Sequence, residues 1–419
     1  KENIPAATQL FTPEWIVKYM VENSLGRLWL EGHPDEELKS NWKYYLEEAE
    51  QEPDVQAELD RIKEESKNLS PEDITVLDPS MGSGHILVYA FDVLYEIYLS
   101  AGYSEREIPR LILEKNIYGL DIDDRAGQLA YFALMMKARS KYRRFFRDVE
   151  RNGIELNVCA IQESNGLSDE DIEYFANGDD KLREDMKYLV DVFIDAKEYG
   201  SILEVREVDF ERIEERLNDI EGEIVLIDSF RKNKLIERIP TLIKQCKFII
   251  KKYDVCITNP PYMGNRGMGV KLSSYLKSKY KVFASDLYVT FMEVCRRMSK
   301  KRGYISLVVM QSWMFLSTYA AFRELLLKNT TITSLAQIGY NSFPELNSQV
   351  AHAMTFTYRN AKIKNYQGLY LDLNTNQRIT DDKGMVFVNR KETKKYYKNT
   401  CEEFLKIPNN TIAYNCNNN

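Results

Sequence analysis

Asn259-Pro260-Pro261-Tyr262 sets a polar amide, two prolines and an aromatic ring directly after an apolar run, Tyr253 to Thr258. The run has the length and composition of a buried strand. Proline cannot continue a ladder, and each proline holds the residue before it in an extended conformation. The Asn259 side chain and the Pro260 carbonyl are therefore expected to stand fixed at the carboxyl edge of a sheet, where open α/β folds bind ligands. Two neighbouring acceptor oxygens can receive an NH2 group, and the Tyr262 ring can stack on whatever carries it. Taken alone, the tetrad reads equally well as a proline-terminated strand entering a loop.

Upstream, Ile74 to Ala90 reads as strand, glycine turn and helix. Gly82 and Gly84 let the backbone come close to a ligand, and the free N–H groups of the following helix favour a carboxylate or another anion. Asp78, at the strand end before Pro79, would repel a pyrophosphate. The turn thus suits a ligand with an ammonium group and an amino-acid tail better than a dinucleotide. In the next strand, Asn116 to Asp123, Asp121 is placed to accept from two ribose hydroxyls.

The order Phe11-Thr12-Pro13, Asp78-Pro-Ser-Met-Gly-Ser-Gly84, Gly119-Leu-Asp-Ile-Asp123 and Asn259-Pro-Pro-Tyr262 resembles the amino-methyltransferases that use S-adenosyl-L-methionine, in the arrangement of the gamma-class adenine-specific DNA enzymes. The stretches DPSMGSGHILVYAFDVL, NIYGLDIDD, AIQESNGL and FIDAKEYGSILEV are similar to the PglX-type adenine methyltransferases of BREX phage-defence systems, and the pattern also resembles type IIG restriction-modification methyltransferases. The resemblance spans roughly residues 8 to 360. The tetrad alone is shared with methyltransferases of protein glutamine, whereas the ordered set is far more specific.

The resemblance implies an α/β fold. Its core is a doubly wound, Rossmann-like sheet of seven strands in the order 3-2-1-4-5-7-6, with strand 7 antiparallel and helical insertions added. It implies S-adenosyl-L-methionine as cofactor, bound by Thr12, Asp78, Gly82, Gly84, Asp121 and Glu163. Phe11-Thr12-Pro13 would close over it, Thr12 also serving as a helix cap; Glu163 would accept from its adenine amine or be a plain loop acid. Asn259, Pro260 and Tyr262 become the catalytic group. Two acceptors draw the amine N–H bonds of a target adenine out of plane and aim its lone pair at the methyl group. The adenine must first leave the duplex, at a cost of a few kcal/mol. Tyr262 would stack on one face of it, and Phe343, followed by Pro344, would stack on the other or belong to the core. No strong general base is required, so His85 is given a packing or supporting role.

Composition limits the alternatives. The 419 residues are 44% apolar, enough for one large or two ordinary domains, and carry a net charge of −7. That charge is awkward for double-stranded DNA as a partner, because phosphate contacts draw on clustered Lys and Arg. Acids concentrate in residues 34–73 and 168–223, and bases in 137–147, 271–281 and 296–302. Each basic cluster can be a solvated helix face. Lys271 and Lys277, just after the tetrad, are the best placed to reach a DNA phosphate. Six cysteines without close pairing and three histidines argue against a zinc site or disulfide framework and fit a reducing cytoplasm. No metal is called for, and no run is apolar enough to span a membrane. The ends, Lys1 and Asn-Cys-Asn-Asn-Asn, point to a piece of a longer protein. Other defence-system proteins are candidate partners. Methylation of protein glutamine or RNA, and a partner-dependent binding role without activity, remain as alternatives. Pro53-Asp54 lacks the companions of a nuclease centre.

The expected organisation is an N-terminal helical segment with the closing element (1–73), a cofactor-binding half (74–164), an acidic, mostly helical insertion (165–250) and a catalytic half (251–361). Residues 362–419 lose the strand–helix rhythm and read as the start of a target-recognition region or as a tail.

Overall fold

A computed structural model describes residues 11–222, 229–340, 342–343, 352–374 and 382–415. Its centre is a single sheet of nine strands in the order β3-β2-β1-β4-β5-β7-β6-β8-β9. The strands are β1 (Val76–Asp78), β2 (Ile117–Asp121), β3 (Asn157–Ala160), β4 (Tyr253–Thr258), β5 (Ser299–Met310), β6 (Thr331–Gly339), β7 (Ala353–Arg359), β8 (Gly368–Asp372) and β9 (Tyr397–Asn399). The first five pair in parallel, and β7 runs antiparallel between β5 and β6. The expected seven-strand order is therefore present.

Two further strands extend it. β8 pairs in parallel with β6, and β9 antiparallel with β8. Within residues 362–419, read as the start of a target-recognition region or a tail, Gly368–Asp372 and Tyr397–Asn399 are strands of the same sheet. The segment 401–414 also packs Cys401, Phe404, Ile412 and Tyr414 into a shared core.

The strands read as near-continuous apolar runs because both faces of the sheet are covered. Alternation along each strand divides their side chains between two layers. Leu77 and Cys256 enter one, while Val76, Val255 and Ile257 enter the other. The second layer holds the helices at Glu14–Val21, His85–Ser100 and Asp124–Lys141. The first holds the helix Leu287–Met298 together with the helices of the acidic insertion, Asp169–Ala176, Asp180–Val192, Phe210–Gly222 and Ser229–Ile250. The apolar stripes of these helices are part of the sheet-covering layer.

The N-terminal helix continues through a wider turn at Glu22–Gly26 into Arg27–Gly32 and crosses the middle of the sheet. The Tyr19 hydroxyl meets Ser334 Oγ at 2.7 Å, and Glu31 pairs with the buried Arg359. This docking fixes the position of Phe11-Thr12-Pro13 at the helix start. Among the described residues, no helix is long and apolar enough to cross a membrane.

Candidate active site

The carboxyl ends of β1, β2 and β4 lie side by side, and the candidate residues collect there. Gly82 (φ 51°) and Gly84 (φ 85°) both take left-handed backbone, which only glycine adopts without strain. Their surroundings differ. A Cβ on Gly82 would meet nothing within 4 Å, whereas one on Gly84 would press on Ala130 at 3.0 Å. Gly82 thus borders open space, and Gly84 serves the packing of one helix on the next.

Asp78 is 1% exposed. It accepts from Thr258 Oγ1 at 2.7 Å and from the Ser80 N–H at 3.1 Å. Burial lifts its carboxyl to about 7, against the pull of those hydrogen bonds. Asp121 accepts from the Gly82 N–H at 2.8 Å and the Asp123 N–H at 3.0 Å, and burial raises its pKa too. Neither acid has a cationic partner among the described residues. Asp123 caps the following helix through the Arg125 N–H. Past β3, Glu163 Oε1 accepts from the Lys197 N–H at 3.3 Å, a residue of the insertion.

At the end of β4, Asn259 and Tyr262 meet. The Asn259 Nδ2 donates to Thr12 Oγ1 at 3.0 Å, and the Tyr262 hydroxyl lies 2.8 Å from Asn259 Oδ1 and 3.0 Å from the Val308 carbonyl. Pro260 is buried, and its carbonyl accepts no hydrogen bond from the described residues. Thr12 does not cap the helix as expected. The N-cap position is Pro13, without a side-chain bond, and the Thr12 hydroxyl is turned to Asn259 instead. Phe11 lies edge-on against the exposed His85 at 4.5 Å, and His85 Nδ1 meets Ser83 Oγ at 3.0 Å.

The structure brings Phe343 to the same place, 3% exposed, with its ring 6.1 Å from that of Tyr262 and tilted by 53°. The two rings touch each other in this arrangement. For a flat base to enter between them, one ring must turn. Pro344 lies outside the described residues. Tyr288 meets Tyr262 from another side, at 6.2 Å and 81°.

Residues 115–343, more than half of the chain, match the Eco57I restriction-modification methylase family. The chain belongs to that family. It is 39% identical over 99% of its length to the adenine-specific methyltransferase BrxX of Escherichia coli O9:H4 (strain HS), covering 35% of that protein. It is 35% identical over 98% of its length to the adenine-specific methyltransferase PglX of Lacticaseibacillus casei (strain Zhang), covering 34%. The chain therefore spans about a third of the length of these curated relatives. Among solved structures, the ATP-dependent Type ISP restriction-modification enzyme LlaBIII bound to DNA superposes with a TM-score of 0.50 at 15% identity, over 93% of this chain and 21% of that one. This last likeness is one of fold.

Within this Eco57I-family chain, the segment Asp195–Glu204 touches both the turn after β1 and the helix that follows the tetrad. Ser201 Oγ donates to the Pro79 carbonyl at 2.6 Å, Lys197 pairs with Asp124, and the Glu204 N–H donates to the Tyr275 hydroxyl at 2.8 Å. Gly200 (φ 64°) sits so close to Ile122 that a Cβ would stand 2.8 Å from it. Lys271 is bound in a salt bridge to Asp195 of this segment, while Lys277 is exposed and makes no ion pair with the described residues. Other members of the basic clusters are similarly neutralised: Lys137 and Lys141 by Asp92, Arg297 by Glu204, Lys300 by Asp254.

Sequence reasoning missed Thr258, Ser80, Ser201, Asp286 and Tyr288. Asp286 accepts from the Met263 N–H at 3.2 Å and caps the helix Leu287–Met298, tying down the loop after Tyr262; burial raises it to about 6. A polar residue next to a motif, such as Thr258 before Asn259, is the signal that could have found the first of these.

Proposed function

We propose that this chain is the methyltransferase core of a site-specific DNA adenine-N6 methyltransferase that uses S-adenosyl-L-methionine. Its setting would be a bacterial phage-defence or restriction-modification system of the BREX kind, in the cytoplasm. The observation that carries the reading is the meeting of Thr12, Asn259 and Tyr262 at the end of β4, one strand from the acid-lined glycine turn on β1. The relatives' names, adenine-specific methyltransferases, agree with it.

The residues present fit the cofactor. Asp78 is buried and Asp121 half-buried, removal from water makes both reluctant to ionise, and a guest bringing an ammonium group and ribose hydroxyls offers the charge and donors they lack. The open space at Gly82 leaves room for it. Asp78, Gly82, Asp121 and Glu163 would hold it, with Thr12 above and Gly84 shaping the turn. Bound there, it supplies an electrophilic methyl group.

The chain's own residues then act on the nucleophile. Asn259 Oδ1 and the Pro260 carbonyl accept the two N–H bonds of the adenine amine, turning its lone pair out of conjugation and stabilising positive charge on nitrogen. Each carbonyl oxygen has two acceptor positions, so Asn259 Oδ1 can receive the amine while Tyr262 keeps or shifts its bond toward Val308. The methylated nitrogen is acidic enough to lose its extra proton to water. Tyr262 and Phe343 supply the rings for a flipped base. Lys277 is the freer phosphate contact, and Lys271 would have to leave Asp195 to join it. Other proteins of the defence system are candidate partners.

Tritiated S-adenosyl-L-methionine incubated with this chain and duplex DNA, RNA or a protein extract tests the reading. Label is expected in DNA. Label confined to protein or RNA would move the activity to another substrate class.

A further inference from the structure

A run of short hydrogen bonds leaves Asp78 and ends on the main chain of the Asn259 loop. Thr258 Oγ1 donates to Asp78 Oδ1 at 2.7 Å. Ser80 Oγ lies 2.6 Å from Thr258 Oγ1 and 3.3 Å from the Asn259 carbonyl oxygen. A hydroxyl has one proton to give, so with Thr258 donating to Asp78, the Ser80 proton is shared, in a three-centre bond, between Thr258 Oγ1 at the shorter distance and the Asn259 carbonyl at the longer. Thr258 and Asp78 are buried, so water does not readily replace the bond between them. The run crosses from β1 to β4, neighbouring parallel strands whose ladder, Val76 with Val255 and Leu77 with Cys256, ends just before it. Beyond that point hydroxyls, not the ladder, set how the Asp78 turn and the Asn259 loop face each other.

We propose that Thr258 and Ser80 are positioning residues that lock the Asp78 turn to the Asn259–Pro260 peptide, so that the cofactor-holding acid and the amine-receiving acceptors keep one relative placement. The inference rests on the reading of Asp78 and Asn259 given above. A simple alternative is that the hydroxyls only satisfy a buried carboxylate. That role affects melting but leaves turnover at lower temperature unchanged.

The test compares Thr258→Val, Thr258→Ser and Ser80→Ala with the unaltered chain. The readouts are thermal melting, calorimetric affinity for S-adenosyl-L-methionine, and kcat and KM for methylation of duplex DNA. Loss of a hydrogen bond to a charged group predicts an affinity about ten- to a hundredfold weaker in Thr258→Val. Its kcat should fall by at least about tenfold, with the KM for DNA within about twofold. Thr258→Ser should restore both, and Ser80→Ala should lower kcat more than it weakens cofactor affinity.

A folded Thr258→Val with unaltered affinity and kcat overturns the proposal, as does a loss confined to the melting temperature. Should Thr258→Val fail to fold, Ser80→Ala decides, and wild-type kcat there overturns it. If the unaltered chain neither binds the cofactor nor transfers methyl, the site assignment itself falls and the proposal with it.

Discussion

At the ends of β1 and β2 the candidate site is lined by the buried Asp78, the half-buried Asp121 and a glycine turn, whereas one strand away, at the end of β4, it is lined by an amide, a proline carbonyl and aromatic rings. The acids have no cation of their own among the described residues, and removal from water raises the pKa of both. The amide end carries no charge, and its groups satisfy one another through Thr12, Asn259 and Tyr262. The cofactor and base of the proposed function would call on those two chemistries, and the pairing of β1 with β4 sets them one strand apart. The difference also predicts which half of the reaction each substitution should disturb.

The largest effect is expected at the amide end. Asn259→Ala should reduce methyl transfer by about a hundred- to a thousandfold or more, the scale seen when a preorganised charge-stabilising group is removed. Cofactor affinity by calorimetry should change by less than about threefold. Equal losses in both would erase the division. At the acid end, Asp121→Ala should weaken cofactor binding by about ten- to a hundredfold. Unchanged affinity would remove Asp121 from the ribose contact.

Acidity sharpens the same contrast. Asp78 is lifted by burial from 3.8 to about 7. A cationic ligand prefers the ionised form, so affinity for S-adenosyl-L-methionine should rise as pH climbs through about 7 and level off above it. In the ligand-free protein the sign reverses. The folded state holds the Asp78 proton more tightly than the unfolded chain, so this group's contribution to stability declines as pH rises from 3.8 to about 7. Calorimetry across that range checks the first expectation and thermal melting the second. A flat affinity profile would mean that Asp78 does not face the positive charge.

The smallest effects belong to the DNA contacts. Lys277→Ala should weaken DNA binding and lower the slope of log affinity against log salt by about one. Lys271→Ala should do less, because its charge is already shared with Asp195. A larger slope change at Lys271 would show that the salt bridge gives way on DNA.

Much of this site could be read in the chain because proline and glycine restrict or release the backbone locally. Gly82, Asp121 and Asn259 sit at strand ends that their neighbours in sequence define, and the motif order carried the arrangement of the first seven strands. What escaped depends on distant partners. Lys271 looked like a free phosphate contact, but Asp195 lies in an insertion that folds back over the same loop. Thr12 looked like a helix cap until Asn259, from the other end of the core, claimed its hydroxyl. β8 (Gly-Leu-Tyr-Leu-Asp) and β9 (Tyr-Lys-Asn) are short, and their place in the sheet depends on the pairing of β8 with β6 and of β9 with β8. Phe343 arrives beside Tyr262, but a sequence holds no information about the 53° between their rings.

Digestion of duplex DNA to nucleosides after incubation with tritiated S-adenosyl-L-methionine, run in parallel with the unaltered chain and with Asn259→Ala, tests the central claim most directly. Label is expected in N6-methyladenine with the unaltered chain and none above background with Asn259→Ala. Label in methylcytosine, or N6-methyladenine formed equally well by both, would contradict that claim.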